Sequence, residues 1–526
     1  MKIKPYLTIL LAIFCLNINA QVTFLKTYNK RSALSLIQKG SGYFLTGLWG
    51  ATPPFSGSLI KLNSLGDTLW TKETPIFCSV IIPTLDGGFR TSVSKFDSFS
   101  NLMWDNLYFI PSGPYGSGFF LDGSEKIIQT KDSGYAFLHP TGMCPGPACG
   151  THYAVLKTDK KGNAVWFKDY GNNSLTTALS EGFTPKNIMQ TLDNNLLICG
   201  SYFTQSDSSS GNGHLLKLNQ NGDTLWSKAY NFDTISYLNG KTEFYQTLPT
   251  QDSGFIVLGN GVGNDSLFGT IVCKINSLGN PLWAKRYLVN SWAMDYPKIT
   301  KTSDGGYAIT GDSYDLSVTE DNVGLIKINS NGDTLWTKTY GTIASAERGN
   351  DIIETADGHL AIAGDINYTT GFLLVVDSLG NGCNQQHTNT TVTNITLTVT
   401  HPTIFAYPLI ITDSIFSDTL NSIPVIKTDI CSVTTAINEQ ENISSNTILV
   451  FPNPFSTQTT LETDNLLHNA TLTVYNCFGQ TVKQIKNISG RTVVLSRDNL
   501  ASRMYFVRLT EESKIIAADK LVISDK

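Results

Sequence analysis

Between Val22 and Gln386 the chain is written in short alternating runs of apolar and polar residues, four to eight long, separated by turn residues. That period-two pattern predicts β-strands, and nothing in this stretch carries the 3.6-residue period of an amphipathic helix. The runs recur in order. In the sixth unit they read KITKTS, GYAITGD, GLIKINS and TLWTKTY, the first pair joined at Asp-Gly-Gly and the last at Asn-Gly-Asp. These turn residues tolerate the positive φ that tight hairpins demand.

Two anchors measure the repeat. One is a turn followed by an aromatic or aliphatic residue: GSGYFLTG from Gly40, DGGFRTSV from Asp86, DSGYAFLH from Asp132, DNNLLICG from Asp193, DSGFIVLG from Asp252, DGGYAITG from Asp304 and DGHLAIAG from Asp357. The other is a turn leading to tryptophan, at Trp70, Trp166, Trp226, Trp283 and Trp336. The second unit, around LMWDNLYFIPSG, reads as degenerate and without the usual Trp. Seven units of about 50 residues, each of four antiparallel strands, are the signature of a seven-bladed β-propeller. The last unit lacks a fourth strand. VTFLKTY, residues 22–28, supplies one, with Phe24 in the position of Trp336. The repeated Trp is then expected to pack between blades, and the turn Gly to permit the reversal. Asn329, Asn331 and Asp333 have calcium-loop spacing without the remaining acidic ligands, so they read as a turn.

Turns between first and second and between third and fourth strands are short. Insertions gather in the other two connections, which emerge on one face of the disc; this is the expected binding face. Trp49, Tyr202, Trp292, Tyr296 and Tyr314 are the candidate ligand-binding aromatics there, and Asp312, Asp315, Glu320 and Asp321 make one loop acidic. Two or more buried carboxylates with a Tyr or His at the funnel mouth would favour an enzyme; a flat aromatic patch would favour binding.

Composition narrows the picture. Charged residues are 15% and the formal net charge is −5, which leaves no footprint for nucleic acid or an anionic membrane. MKIKPYLTILLAIFCLNINA has the charged, apolar and small-residue order of a signal peptide, cut between Ala20 and Gln21. Export permits disulfides. Cys144 and Cys149, joined through Pro-Gly-Pro, are a candidate local bridge; Cys383 and Cys431 flank a Thr-rich region and are a second candidate pair. Cys78, Cys199, Cys273 and Cys477 sit in apolar runs as buried small hydrophobes. His139, Cys144, Cys149 and His152 can be drawn as a zinc site, but two exported thiols favour the disulfide. No catalytic, metal or cofactor constellation emerges from the spacing of residues.

The reading divides the chain into a signal peptide (1–20), the propeller (21–386), a Thr/Ser-rich connector without assigned structure (387–446) and a small C-terminal β-sandwich (447–526). The last module carries PNPF at Pro452, Asn453, Pro454 and Phe455, VYNCFGQTV with Gly479, YFVRLT from Tyr505, and KLVI from Lys520. On these motifs it resembles the type A C-terminal sorting domain of type IX secretion cargo. Where that family usually has Gly before the hydrophobic–Tyr pair this chain has Arg503, which puts the local turn in question. The resemblance implies export across two membranes, with residues 447–526 engaging the secretion machinery and the cargo released or held at the cell surface. The expected product is a monomeric secreted or surface-attached propeller that binds an extracellular glycan or protein. A polysaccharide-cleaving propeller is the alternative, and the Gly-x-x-x-Trp spacing is also similar to quinone-dependent dehydrogenase propellers, though without paired cofactor ligands.

Overall fold

The computed structural model describes residues 22–29, 32–49, 56–74, 78–110, 119–120, 126–141, 152–171, 182–203, 211–231, 242–262, 267–289, 293–314, 321–341, 345–408, 412–416, 427–434, 448–476, 481–511 and 514–525. Ala20, Gln21, Cys144, Cys149, Trp292, Cys477 and Gly479 lie outside them. Among the described residues there is no helix. The chain forms two compact units, residues 1–434 and 435–526.

The first unit is a seven-bladed β-propeller. Its innermost strands are Ala33–Lys39, Ile81–Pro83, Lys126–Gln129, Gly182–Gln190, Thr242–Pro249, Met294–Lys301 and Glu347–Glu354, in blades 1 to 7. Each touches the innermost strand of the next blade, and the seventh touches the first, so the ring closes. Val22–Tyr28 pairs antiparallel with Thr370–Val376, setting Phe24 opposite Val375 and Tyr28 opposite Gly371. The N-terminal strand is therefore the fourth strand of blade 7.

The repeated Trp is one part of a three-part latch. In blade 3, the Trp166 indole Nε1–H donates to the carbonyl of Gln220 (2.9 Å) in the third-to-fourth turn of blade 4. Two residues on, the Lys168 ammonium meets Asp223 of that turn at 2.7 Å. Two further on, the Tyr170 hydroxyl donates to the Gly222 carbonyl, also at 2.7 Å. Gly222 sits at φ +77°, and a Cβ there would come within 2.9 Å of both the Trp166 ring and the Tyr170 hydroxyl. Glycine is thus required twice, for its backbone conformation and for the approach of the neighbouring ring.

The tyrosine bond recurs as Tyr230 to Gly279, Tyr287 to Gly332, Tyr340 to Gly380, Tyr108 to Gly162 and Tyr28 to Gly66. In the last case Phe24 takes the place of Trp, and Lys26 reaches Asp67 at 2.7 Å. A hydrogen bond of this kind contributes only about 1 kcal/mol, so the buried aromatic ring carries more of each joint.

The second blade corrects the sequence reading. Trp104 stands opposite Lys95 just as Trp70 stands opposite Lys61 and Trp336 opposite Lys327, so blade 2 does have its tryptophan. It was hidden because the third strand of that blade is only Ser94–Phe96 and its turn, Asp97–Asn101, has Ser100 at φ +72° in place of glycine. The joint between blades 1 and 2 is also the divergent one. Thr74 replaces the latch tyrosine, and Trp70 instead joins a cluster of Phe44, Phe89 and Phe96. In blade 6 the Asn329 side chain accepts from the amides of Asn331 and Asp333, and Asp333 is held by Lys285. These groups are consumed by the turn, as its sequence implied.

The Thr-rich connector has a structure of its own. After blade 7 the chain runs back around the ring and adds an antiparallel strand to the outer edge of one blade after another. Gln385–His387 pairs with blade 6, Thr390–Asn394 with blade 5, Thr398–Thr400 with blade 4, Phe405–Pro408 with blade 3 and Thr412–Phe416 with blade 2. Lys427–Thr434 then pairs with the N-terminal strand of blade 7, placing Cys431 opposite Leu25. Cys383 and Cys431 form a disulfide across 48 residues. Cys78, Cys199 and Cys273 are buried.

The second unit realises the expected small β module as one curled sheet of five strands: Ile448–Phe451, Gln458–Tyr475, Thr481–Ser496, Met504–Glu511 and Lys514–Val522. Its two long strands are broken by register shifts that let the sheet bend around Leu461, Leu472, Val474, Leu495, Val507, Leu509 and Leu521. The PNPF motif clasps the last strand. Asn453 donates to the Lys520 carbonyl (2.9 Å) and accepts from the Val522 amide (2.8 Å), while buried Phe455 exchanges backbone bonds with Val522 and Ser524. Motifs about 65 residues apart in sequence are therefore one structural element. The Tyr505 hydroxyl donates to the Ala501 carbonyl at 3.0 Å. Arg503 keeps a negative φ, so nothing in this turn requires the glycine it replaces.

Candidate functional site at the axial mouth

In an antiparallel blade the start of the first strand, the end of the second and the start of the third share one face. Most of the insertions that distinguish this face lie outside the described residues, but the strand ends beneath them are described. On blades 5, 6 and 7 these ends bring together a set of charged and aromatic side chains that the repeat does not dictate.

Blade 5 contributes Glu243 and Tyr245, whose hydroxyl donates to Glu243 Oε2 at 2.6 Å. Blade 6 contributes Asp295 and Tyr296 from its inner strand, then Asp312 and Asp321 from the next two strands. Tyr296 is 62% exposed, adopts φ +48° and meets the Tyr245 ring edge-on at 6.5 Å. A left-handed backbone at a bulky residue is uncommon and collects at functional positions. Blade 7 contributes Arg348, Asp365 and Tyr368. The Arg348 guanidinium lies 3.3 Å from the centre of the Tyr368 ring and its Nε is 3.6 Å from Asp312. Asp365 accepts from the Asn350 amide group (2.8 Å) and from the Tyr368 backbone N–H (3.1 Å).

Two of the carboxylates are deeply buried, Asp312 at 6% exposure and Asp365 at 3%. Burial pushes the Asp312 carboxyl up to about 8, against the pull of Arg348 and helped by Asp321, Asp365 and Asp295. Asp295 is raised by desolvation of its carboxyl and then by Asp321, and Asp365 is raised by burial. Near neutral pH the mouth therefore holds a protonated carboxylic acid among other carboxyl groups and one arginine.

The shift has a consequence for stability. A carboxyl whose folded value lies above its unfolded one makes folding take up a proton between the two, so stability falls as pH rises from about 4 to about 8. Asp312→Asn abolishes that term. Melting temperatures of the variant and the wild type are expected to coincide near pH 4 and to diverge in the variant's favour by pH 9. Parallel curves across the range would contradict the assignment.

Of the aromatics singled out in the sequence, Tyr296 lies in this cluster. Tyr314 ends the blade 6 strand opposite Asp321, and Trp49 ends the second strand of blade 1; of both, only the backbone is described. Tyr202 is buried in blade 4, its ring stacked on Phe183 at 5.0 Å. Asp312 and Asp321 belong to the loop marked as acidic, whereas Glu243, Tyr245, Asp295, Arg348, Asp365 and Tyr368 carried no signal beyond their place at strand ends. Among the described residues no group of three or more His, Cys, Asp or Glu is placed to hold a metal. His152 instead pairs with Asp169 at 2.8 Å.

Residues 449–524 match the family model described as the secretion system C-terminal sorting domain. The tail is a secretion sorting domain. With the propeller ahead of it, the chain is a type IX secretion cargo, exported and secreted or attached at the cell surface. The sorting domain thus accounts for the second unit and for an interaction with the secretion machinery. No curated relative matches the chain. Solved structures resemble it only distantly. A protein of unknown function from Bacteroides caccae shares 11% identity at a TM-score of 0.32, over 60% of this chain and 97% of its own. A hypothetical protein from Leishmania major shares 8% at 0.27, over 69% and 87%. An endo-1,5-alpha-L-arabinanase from Thermotoga petrophila shares 10% at 0.21, over 66% and 99%. Likenesses of this size carry no argument about function.

Proposed function

We propose that the exported propeller binds an extracellular glycan at the axial mouth of blades 5 to 7. The observation that supports this is the convergence of Tyr296, Tyr245 and Tyr368 with Asp295, Asp312 and Arg348 on the face that carries the insertions. Aromatic faces cover the apolar C–H surface of a sugar, while carboxylates and a guanidinium satisfy its hydroxyl groups. The test is a glycan array probed with the mature chain and with Tyr296→Ala. Retention on a defined glycan, weakened tenfold or more in the variant, is expected; no retention, or equal retention by both proteins, defeats the reading.

A second reading, hydrolysis of the bound glycan, is favoured by one observation: two buried carboxyls beside tyrosines, one of them able to donate a proton near neutral pH. Acid catalysis at a glycosidic oxygen needs such a donor and an ionised partner. Release of new reducing ends by the wild type, lost in Asp312→Asn while binding persists, would establish it. Binding without release leaves the lectin-like reading standing alone.

A further inference from the structure

The connector strands make up a belt, and the belt is weakly held along most of its length. Its strands are three to eight residues long, and Thr391–Asn394 are exposed. Among its described side chains few apolar ones peg it down, chiefly Leu397 and Ile404, at 9% and 7% exposure. Edge pairing by such short polar strands is marginal when each must hold alone. Both ends, by contrast, are firmly fixed. Cys383 follows the third strand of blade 7 and is 2% exposed. At the far end Lys427 and Lys26 share Asp67 of blade 1 (2.6 and 2.7 Å) and Asp429 of the belt (3.0 and 3.3 Å). The disulfide then joins the two ends after the chain has paired with six of the seven blades.

We infer that the Cys383–Cys431 disulfide is a redox-controlled clasp that turns the belt into a covalent hoop around the propeller. Its two sulfurs meet when the belt lies along the blade edges and the N-terminal strand is seated, because Cys431 is registered on that strand. Closure removes two electrons and two protons from the thiols and transfers them to an exchange partner's disulfide, which becomes a dithiol. Once closed, the hoop keeps detached belt strands at high local concentration over their own blades, so each re-forms faster than it is lost. It also traps Val22–Tyr28 between Thr370–Val376 and Lys427–Thr434. Opened, the belt is expected to peel from its exposed strands while the inner three strands of each blade stay paired.

The experiment uses the folded mature chain with and without dithiothreitol, and in parallel the Cys383→Ser/Cys431→Ser variant. Limited proteolysis with mass mapping reads cleavage within 385–434, and hydrogen exchange reads amide protection strand by strand. Reduction is expected to raise belt cleavage tenfold or more and to deprotect belt and outermost-strand amides, with inner-strand protection unchanged within twofold. Reducing the prefolded wild type tests the clasp even if the serine variant fails to fold. Equal cleavage in both redox states overturns the inference. So does a loss of protection shared equally by inner strands, which would make the disulfide a general stabiliser.

Discussion

Starting the mature chain at Asn29 rather than Gln21 is expected to abolish cooperative folding of the propeller. Val22–Tyr28 is paired on both sides, by Thr370–Val376 and by Lys427–Thr434, so its removal bares two strand edges at once. Phe24 and Tyr28 are each only 1% exposed, and losing a buried aromatic costs about 3–5 kcal/mol. The two together approach the whole stability of an ordinary domain, ~5–15 kcal/mol. Size-exclusion chromatography and thermal unfolding of the truncated protein should show aggregation or a broad, non-cooperative melt. The milder Phe24→Ala should fold but melt earlier, with a loss of about 3–5 kcal/mol in denaturant titration. A truncated chain that melted like the full one would mean that the ring does not depend on being closed by its own N-terminus.

Deleting residues 447–526 is expected to leave the protein in the periplasm. The match to the sorting domain covers residues 449–524, and the structure makes that stretch a compact unit with its own core. The propeller contains none of that core, so the deletion should remove the address without unfolding the cargo. Fractionation of producing cells should show the extracellular and surface pools falling at least tenfold while a protease-resistant periplasmic propeller accumulates. Normal export of the truncated chain would show that the address lies elsewhere. A finer version replaces Asn453 with Ala. This cuts the two bonds to Lys520 and Val522, and partial loss of export is expected if the clasp between PNPF and the final strand is what the machinery reads.

The repeat was legible because its residues answer to the blade rather than to a ligand. A turn needs glycine, a joint needs a slab and a hydroxyl, and these needs recur at each blade. Trp104 escaped because its neighbours changed: with the glycine gone and the strand before it shortened, the spacing that identifies the other copies is lost although the side chain occupies the same place. The belt was illegible for a different reason. Strands such as Thr398–Thr400 have one edge in solvent and take their register from the blade they lie on, so no alternation of their own is needed. The mouth cluster is harder still. Glu243, Asp295 and Arg348 belong to three successive blades, and only the packing of each blade on the next sets them near one another. Asp312 and Asp321 stood out as acidic, but their environment, which gives Asp312 its unusual proton affinity, is a property of the assembly.

Each joint described for blades 3 and 4 has a donor side, the Trp-x-Lys-x-Tyr edge, and a receiver side, the glycine turn. The two sides differ, so blades can associate only head to tail, and a closed circle satisfies every joint within one molecule. A chain caught before closure, with Val22–Tyr28 unpaired beside blade 1 at one end and the Thr370–Val376 edge of blade 7 bare at the other, carries complementary ends. Two such chains could satisfy each other, and a third could follow without limit. Open-ended polymer is thus the natural misassembly product of this architecture, and rapid seating of one seven-residue strand is what keeps the protein out of it.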